Sequence, residues 1–244
     1  MRRLKEQDSE FAVMPTHLQK VYTEVPPTYE FLNHLLTLGL DINWRKKAAR
    51  MAAIAKGTHW LDVGIGTGEM AANLHLLAPE STQVIALDFS LPMMRRALEK
   101  PEAKGINFIL AEAVRLPFQD GSFDAITFSF ACRNVDSSGK GNITRCYEEL
   151  YRILKSGGIL VNLETSQPKH KFIRRLFHLY VELAVHRLGR MVSGSKAAYS
   201  YLARSMRGFY SPEELADIML QAGFSEVSFK RLLLGAAAIH RAKK

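Results

Sequence analysis

A chain of 244 residues, 47% of them apolar, is long enough to bury a full core, which excludes a disordered tail or a small stapled scaffold. Two cysteines, Cys132 and Cys146, give neither a disulfide framework nor metal-ligand spacing, and fit a reducing, cytoplasmic compartment. The formal net charge of +9 points to an anionic partner, nucleic acid or an anionic membrane surface, without choosing between them. The opening MRRLKEQDSE lacks the apolar centre of a signal peptide, and no apolar run approaches the ~18–20 residues that cross a bilayer.

Residues 1–20 are polar and read as frayed. From Tyr22 to Met51 the pattern is helical, broken at Pro26-Pro27 and Gly39. Strands are expected at 59–63, 83–88, 106–110, 124–130 and 158–164, the last after a Gly157-Gly158 turn. Helices are expected at 67–77, 91–99 and 141–154, with Ser90 and Pro92 placed to start the second. Strands alternating with helices imply right-handed crossovers and a parallel sheet. Residues 166–208 break the rhythm, reading as one long basic helix and a shorter helical piece after Gly194. Ser211, Pro212 and Glu214 then fit the N-cap, N1 and N3 positions of a helix that Gly223 ends. Two final strands near 225–233 and 235–241 form a hairpin, placing one antiparallel strand in the sheet. The expected architecture is an α/β, doubly wound, mostly parallel seven-stranded sheet in a single domain, 1–244. Its parts are an N-terminal helical segment (1–55), a core (56–165), a helical lid insertion (166–208) and a closing helix and hairpin (209–244).

The apolar run Trp60–Val63 ends in Gly64-Ile65-Gly66-Thr67-Gly68, directly before a helical pattern. Glycine permits positive φ and close approach of a ligand to the backbone, and the first N–H groups of the following helix point at that ligand. Twenty residues beyond Gly68, the run Val84–Leu87 ends in Asp88, a carboxylate placed to accept both hydroxyls of a ribose. The glycine spacing is not the G-x-G-x-x-G of dinucleotide enzymes, and no Lys follows Gly68 as a P-loop requires. Asp62 leading the loop and Asp88 closing the second strand make a pattern that resembles motifs I and II of class I S-adenosylmethionine-dependent methyltransferases. That resemblance implies S-adenosyl-L-methionine as cofactor, with Asp62, Gly64, Gly66, Thr67, Gly68 and Asp88 at its site.

Further strand ends add candidates. Glu112 and Ala113 follow the third strand, where an acid can accept from an adenine amino group beside a backbone N–H. Ser129 ends the fourth strand, either facing the pocket or capping the strand. Arg133 lies just beyond, where a guanidinium could stabilise a developing phenolate. Its neighbour Cys132 lacks the Pro-Cys context of cytosine C5 methyltransferases and reads as a small apolar filler. The Asn/Asp-Pro-Pro-Tyr/Phe motif of amino-methylating enzymes is missing too, so a nucleic-acid substrate is disfavoured despite the charge. Between Pro168 and Ser195, Lys171, Arg174 and Arg175 alternate with Phe172, Leu176 and Phe177 at helical spacing. This suits a helix lying on an anionic bilayer or a core-facing helix with a solvated basic face. The histidines His170, His178 and His186 have no carboxylate or cysteine at ligand spacing, and no metal site is expected.

With these residues in place, the chain from about Val21 to Lys243 resembles the ubiquinone/menaquinone biosynthesis C-methyltransferase family. Tyr29-Glu30-Phe31-Leu32-Asn33, Gly39 and Trp44-Arg45-Lys46 look like its K-Y-D-x-M-N … G … W-K segment. The blocks Leu61–Gly68, Leu116-Pro117-Phe118 and Ile126–Phe130 are similar to the family's, as are the more specific Arg133-Asn134-Val135, Tyr199–Ser205 and Gly235–Arg241. The resemblance implies that Thr67, Asp88, Glu112, Ala113 and Ser129 contact the cofactor, and that a prenylated benzoquinol or naphthoquinol ring is methylated at carbon. Arg133 is then the candidate for stabilising the ring oxyanion, and Tyr29 and Tyr201 for orienting the hydroxyl. No residue stands out as general base. Glu30, Glu69 and Glu112 depart from the family's usual residues, which bears on which ring is methylated. Three readings remain beside this one: a methyltransferase for another lipophilic small molecule, a catalytically silent cofactor-binding paralogue, and an RNA binder resting on charge alone. The partners expected are a lipophilic quinol and an anionic membrane face, with a homodimer left open.

Overall fold

A computed structural model describes residues 26–137, 141–185 and 203–244. The segment expected to fray at 1–20, the helical piece after Gly194 as far as 202, His186 and Tyr201 lie outside the described residues.

Seven strands run β1 (His59–Val63), β2 (Gln83–Asp88), β3 (Asn107–Leu110), β4 (Phe123–Ser129), β5 (Leu154–Thr165), β6 (Glu226–Leu232) and β7 (Ala237–Lys243) in chain order. In space they are ordered β3-β2-β1-β4-β5-β7-β6, and among these described strands β7 alone runs against the direction of the other six. This is the expected doubly wound sheet. Its direction of winding reverses between β1 and β4, and the crevice beyond the strand ends at such a point is where open α/β sheets bind ligands.

Strand β1 shows why both faces are covered. Trp60 packs into one apolar cluster, with Ala48, Ala71 and Val161. Leu61 and Val63 pack into another, with Phe128, Tyr147 and Leu160. Alternate side chains thus feed opposite layers. The first layer holds α2 (Leu40–Ala52) and α3 (Glu69–Leu77), preceded by α1 (Pro26–Thr37). Next in chain order come α4 (Leu91–Leu98), the short α5 (Cys132–Ser137), α6 (Asn142–Ile153), α7 (Lys171–Tyr180) and α8 (Pro212–Gln221), of which α6 and α8 cover the other face.

Local chemistry sets the starts. Ser90 caps α4, accepting from Met93 N. Ser211 and Glu214 form the reciprocal capping box of α8. Three expectations need correction. The helix expected from 67 starts at Glu69, because Gly68 takes a left-handed φ of 86° as its N-cap. Pro26-Pro27 stands in the first described turn of α1, where a residue needs no N–H, and the residues before it lie outside the described ones. Strand β5 begins at Leu154, four residues early; Gly157 and Gly158 lie inside it, exchanging backbone hydrogen bonds with Lys244. The long helix expected after 166 is α-helical only to Tyr180 and continues as a π-helical segment, Val181–Val185. Among the described residues no helix is long and apolar enough to cross a membrane.

Candidate active site

The ends of β1, β2 and β4 converge on one cavity. Gly64 and Gly66 have positive φ, 67° and 54°, and a Cβ on Gly64 would stand 2.6 Å from the Ala131 Cβ. The loop is fastened to β2 through Asp88. Gly66 N–H donates to its Oδ2 at 2.8 Å and Ser90 N–H to its Oδ1 at 2.8 Å. Burial pushes this carboxyl up to about 6, against the pull of the backbone donors. Gly64, Gly66, Thr67, Asp88, Glu112, Ala113 and Ser129 all line the cavity. Desolvation also raises the Glu112 carboxyl above its usual range.

Asp62 and Gly68 are not brought into that lining. Asp62 is 1% exposed and accepts from the Thr127 hydroxyl at 2.6 Å. Burial pushes it up to about 7, partly offset by Thr127 and the Arg45 charge. On β1 it lies between Leu61 and Val63, so it faces the α2–α3 layer behind the loop. Gly68 serves the start of α3, where a Cβ would come within 3.0 Å of Ala97.

The lining fits S-adenosyl-L-methionine. The Ser129 hydroxyl is buried with no hydrogen-bond partner among the described residues, a state that costs free energy unless a ligand completes it. Asp88 offers buried acceptor oxygens at the rim of a positive-φ loop. Hydroxyls and an amino group from a nucleoside meet both needs.

Arg133 does not line this cavity. It lines a second one, with Thr37, Asp41, Arg45, Phe130 and Tyr180 among its walls. Arg45 and Phe130 face both cavities, and the Arg45 guanidinium lies over the Phe130 ring, 4.8 Å from its centroid. Arg133 Nη1 donates to Glu164 Oε1 at 2.8 Å, with both residues buried. Glu164 also accepts from Thr165 N and Oγ1 at 2.8 and 2.9 Å. The guanidinium expected to meet a ring oxyanion is therefore already paired. Tyr29 lies on α1, with its side chain outside the described residues, and Tyr201 lies outside them altogether.

Sequence reasoning missed a polar seam where α1, α2 and α3 meet. His34 Nδ1 is 3.0 Å from Asp41 Oδ2, and its Nε2 is 3.2 Å from Glu69 Oε1. Arg45 spans the same two carboxylates, with Nη2 at 3.6 Å from Asp41 and Nε at 3.1 Å from Glu69. Thr37 Oγ1 donates to Asp41 Oδ1 at 2.6 Å. His34, Asp41 and Glu69 offer ligand atoms within 4.8 Å of one another, but the Arg45 guanidinium already supplies the cation between them. The available signal was the i,i+4 pair Asp41–Arg45, which in sequence resembles an ordinary solvated helix pair. Cys132, expected as an apolar filler, is buried but hydrogen-bonded: its thiol donates to Asn162 Oδ1 at 2.9 Å and lies 3.1 Å from the Tyr147 hydroxyl. Burial pushes that thiol well up, so it is no thiolate nucleophile.

A family model described as the ubiE/COQ5 methyltransferase family matches residues 7–244. The chain belongs to this family. It is 37% identical over 224 residues to a demethylmenaquinone methyltransferase of Roseiflexus sp. (strain RS-1), covering 92% of each chain. It is 35% identical over 223 residues to the ubiquinone/menaquinone biosynthesis C-methyltransferase UbiE of Desulfotalea psychrophila (strain LSv54 / DSM 12343), covering 91% of this chain and 88% of that one. A solved SAM-dependent methyltransferase from Thermotoga maritima superposes with a TM-score of 0.62 at 22% identity, over 92% of this chain and 99% of the other, a likeness of fold. Membership makes this chain a SAM-dependent methyltransferase, the enzyme class expected from the Asp62-to-Asp88 pattern.

Proposed function

We propose that the protein transfers the methyl group of S-adenosyl-L-methionine to a ring carbon of a demethylated, prenylated quinol. The observation that carries this is the pair of adjoining cavities: one lined by the glycine loop, Asp88 and Ser129, the other walled by Arg133 and Tyr180, with Arg45 and Phe130 facing both. In the first, Asp88 accepts the ribose hydroxyls, Glu112 accepts from the adenine amino group, and loop N–H groups and Ser129 complete the cradle. Bound there, the cofactor supplies an electrophilic methyl on a sulfonium. The second cavity takes the ring. An aromatic carbon becomes nucleophilic when a neighbouring hydroxyl loses its proton, and transfer needs carbon, methyl and sulfur in line with reacting atoms ~3–3.5 Å apart. Arg133 lines this cavity and, held by Glu164, acts on the ring oxygen as a positioned group more than as an open charge.

The outer wall supports a membrane-facing entry for a prenyl tail. On α7 and its π continuation, Phe172, Leu176, Leu179 and Leu183 are exposed in a helical stripe, flanked by exposed Lys171 and Arg175. An apolar stripe beside basic residues is the pattern of a helix lying at an anionic interface. Tyr180 ties this helix to α1 by donating to Leu36 O, so the lipid-facing element also walls the ring cavity. The decisive experiment is incubation with labelled S-adenosyl-L-methionine and a panel of demethylated benzoquinols and naphthoquinols, reading product mass and ring position. Methylation at ring carbon is expected; transfer to oxygen only, or to none of the panel, would refute the proposal.

A further inference from the structure

The reaction releases one proton per turnover, and Arg133, with its guanidinium donors, cannot take it. We infer that Asp41, His34 and Glu69 form a relay that carries the quinol hydroxyl proton from the ring cavity to solvent. The inference rests on the C-methylation reading above.

The two ends of the seam lie in different places. Asp41 lines the ring cavity and is 1% exposed. Glu69 lines the cofactor cavity, and its side chain is 22% exposed. His34, with a side chain 29% exposed, stands between them, one ring nitrogen toward each carboxylate at 3.0 and 3.2 Å. An imidazole can accept a proton on one nitrogen while releasing one from the other, so this arrangement can pass a proton from one carboxylate to the other. Thr37 orients Asp41 by donating to its Oδ1, and Arg45 balances the charge of the two carboxylates while stacked on Phe130.

The steps balance. The ring hydroxyl gives its proton to Asp41 Oδ2. That proton passes to His34 Nδ1 as the Nε2 proton passes to Glu69 Oε1 and on to water, and a flip of the imidazole between turnovers restores its starting tautomer. The ring carbon then forms its bond to the methyl, the carbon–sulfur bond breaks, and the sulfur keeps the electron pair. The hydrogen displaced from the methylated carbon returns as a proton to the ring oxygen, restoring the aromatic quinol. Asp41 touches the substrate in this scheme; His34 and Glu69 act through it.

The test compares two substrates. One is an ordinary demethylated quinol. The other carries ring halogens, so that its hydroxyl is already ionised at the assay pH. Single-turnover methyl transfer is measured for the wild type, His34→Ala and His34→Gln, the glutamine variant keeping polar contact with both carboxylates without conducting a proton. With the ordinary quinol both variants should slow by about 10²-fold, the lower end for lost acid–base assistance. With the halogenated quinol they should come close to the wild-type rate on that same substrate, because the proton to be removed is gone. Added imidazole should partly rescue His34→Ala on the ordinary quinol only, and cofactor affinity should not change. An equal loss on both substrates would make His34 a packing residue and overturn the relay, as would wild-type rates throughout. A wild type inert on every quinol would instead overturn the C-methylation reading and, with it, the relay.

Discussion

The cofactor cavity and the ring cavity share two residues and little else in how they are built. The first is organised around backbone held at strand ends. Gly66 N and Ser90 N hold Asp88, and positive-φ glycines let the loop bend around the space. The second is walled by residues of α1, α2, α5, β5 and α7, joined by charge pairs such as Arg133–Glu164 and by the Tyr180–Leu36 link across 144 positions. A backbone cradle tolerates change in the side chains around it and binds the same nucleoside. A cavity walled by paired charges changes its shape and chemistry with any one partner, which is why the proposed ring site should be the one that governs substrate choice.

The sharpest way to break that contrast is Arg133→Ala. It leaves Glu164 buried without its cation, and breaking a buried pair costs about 3–5 kcal/mol, so the Tm should fall far more than for a surface change. The double variant Arg133→Met/Glu164→Gln removes the charge while keeping the acceptor for Thr165, and should recover most of the Tm. Its methyl transfer should stay slow by about 10²-fold, as for the loss of one oxyanion donor, with cofactor affinity little altered. Normal turnover in the folded double variant would make the pair a scaffold and move attention to Tyr29 and Tyr201.

In the other cavity, Asp88→Ala should weaken S-adenosyl-L-methionine by ~1.5–3 kcal/mol, the range for hydrogen bonds to a charged group, as read by calorimetry. Undiminished affinity would remove the ribose assignment.

A pH titration separates binding from folding at the same residue. With its carboxyl raised to about 6, Asp88 becomes protonated as the pH falls through that value, so cofactor affinity should decline below it and be flat in Asp88→Asn. The folding contribution has the opposite sign. A carboxyl raised in the folded state favours folding below the unfolded pKa of 3.8, and that contribution is lost as the pH rises through about 6. Asp62, raised to about 7, acts in the same direction. Affinity and the contribution of these two groups to the Tm should therefore move oppositely between pH 4 and 7, and a parallel fall of affinity with pH in Asp88→Asn would exclude Asp88 as its source.

The smallest effect concerns the outer wall of the ring cavity. Each basic residue near an anionic surface contributes ~1 kcal/mol, so Lys171→Glu and Arg175→Glu should each cut sedimentation with anionic vesicles severalfold, and added salt should do the same by screening. Equal binding to neutral vesicles would leave α7 as a plain lid.

By itself the sequence determined what short-range chemistry controls. The β1 and β2 limits, the caps at Ser90 and Ser211, the glycine loop and the Asp88 strand end follow from periodicity, capping and backbone freedom, all acting within a few residues. The early start of β5 was hidden, because Gly157 and Gly158 look like a turn until Lys244 arrives from the far end of the chain to pair with them. Asp62 shows the limit of a motif. It stands in the fingerprint, yet the two-residue alternation of β1 turns it toward the helices behind the loop, where burial shifts its carboxyl. Only the tertiary structure decided that Arg133 is neutralised by Glu164 and that His34, Asp41, Arg45 and Glu69 form one seam. These are charges on separate elements, and whether such charges are solvated or buried against each other depends on how the elements pack.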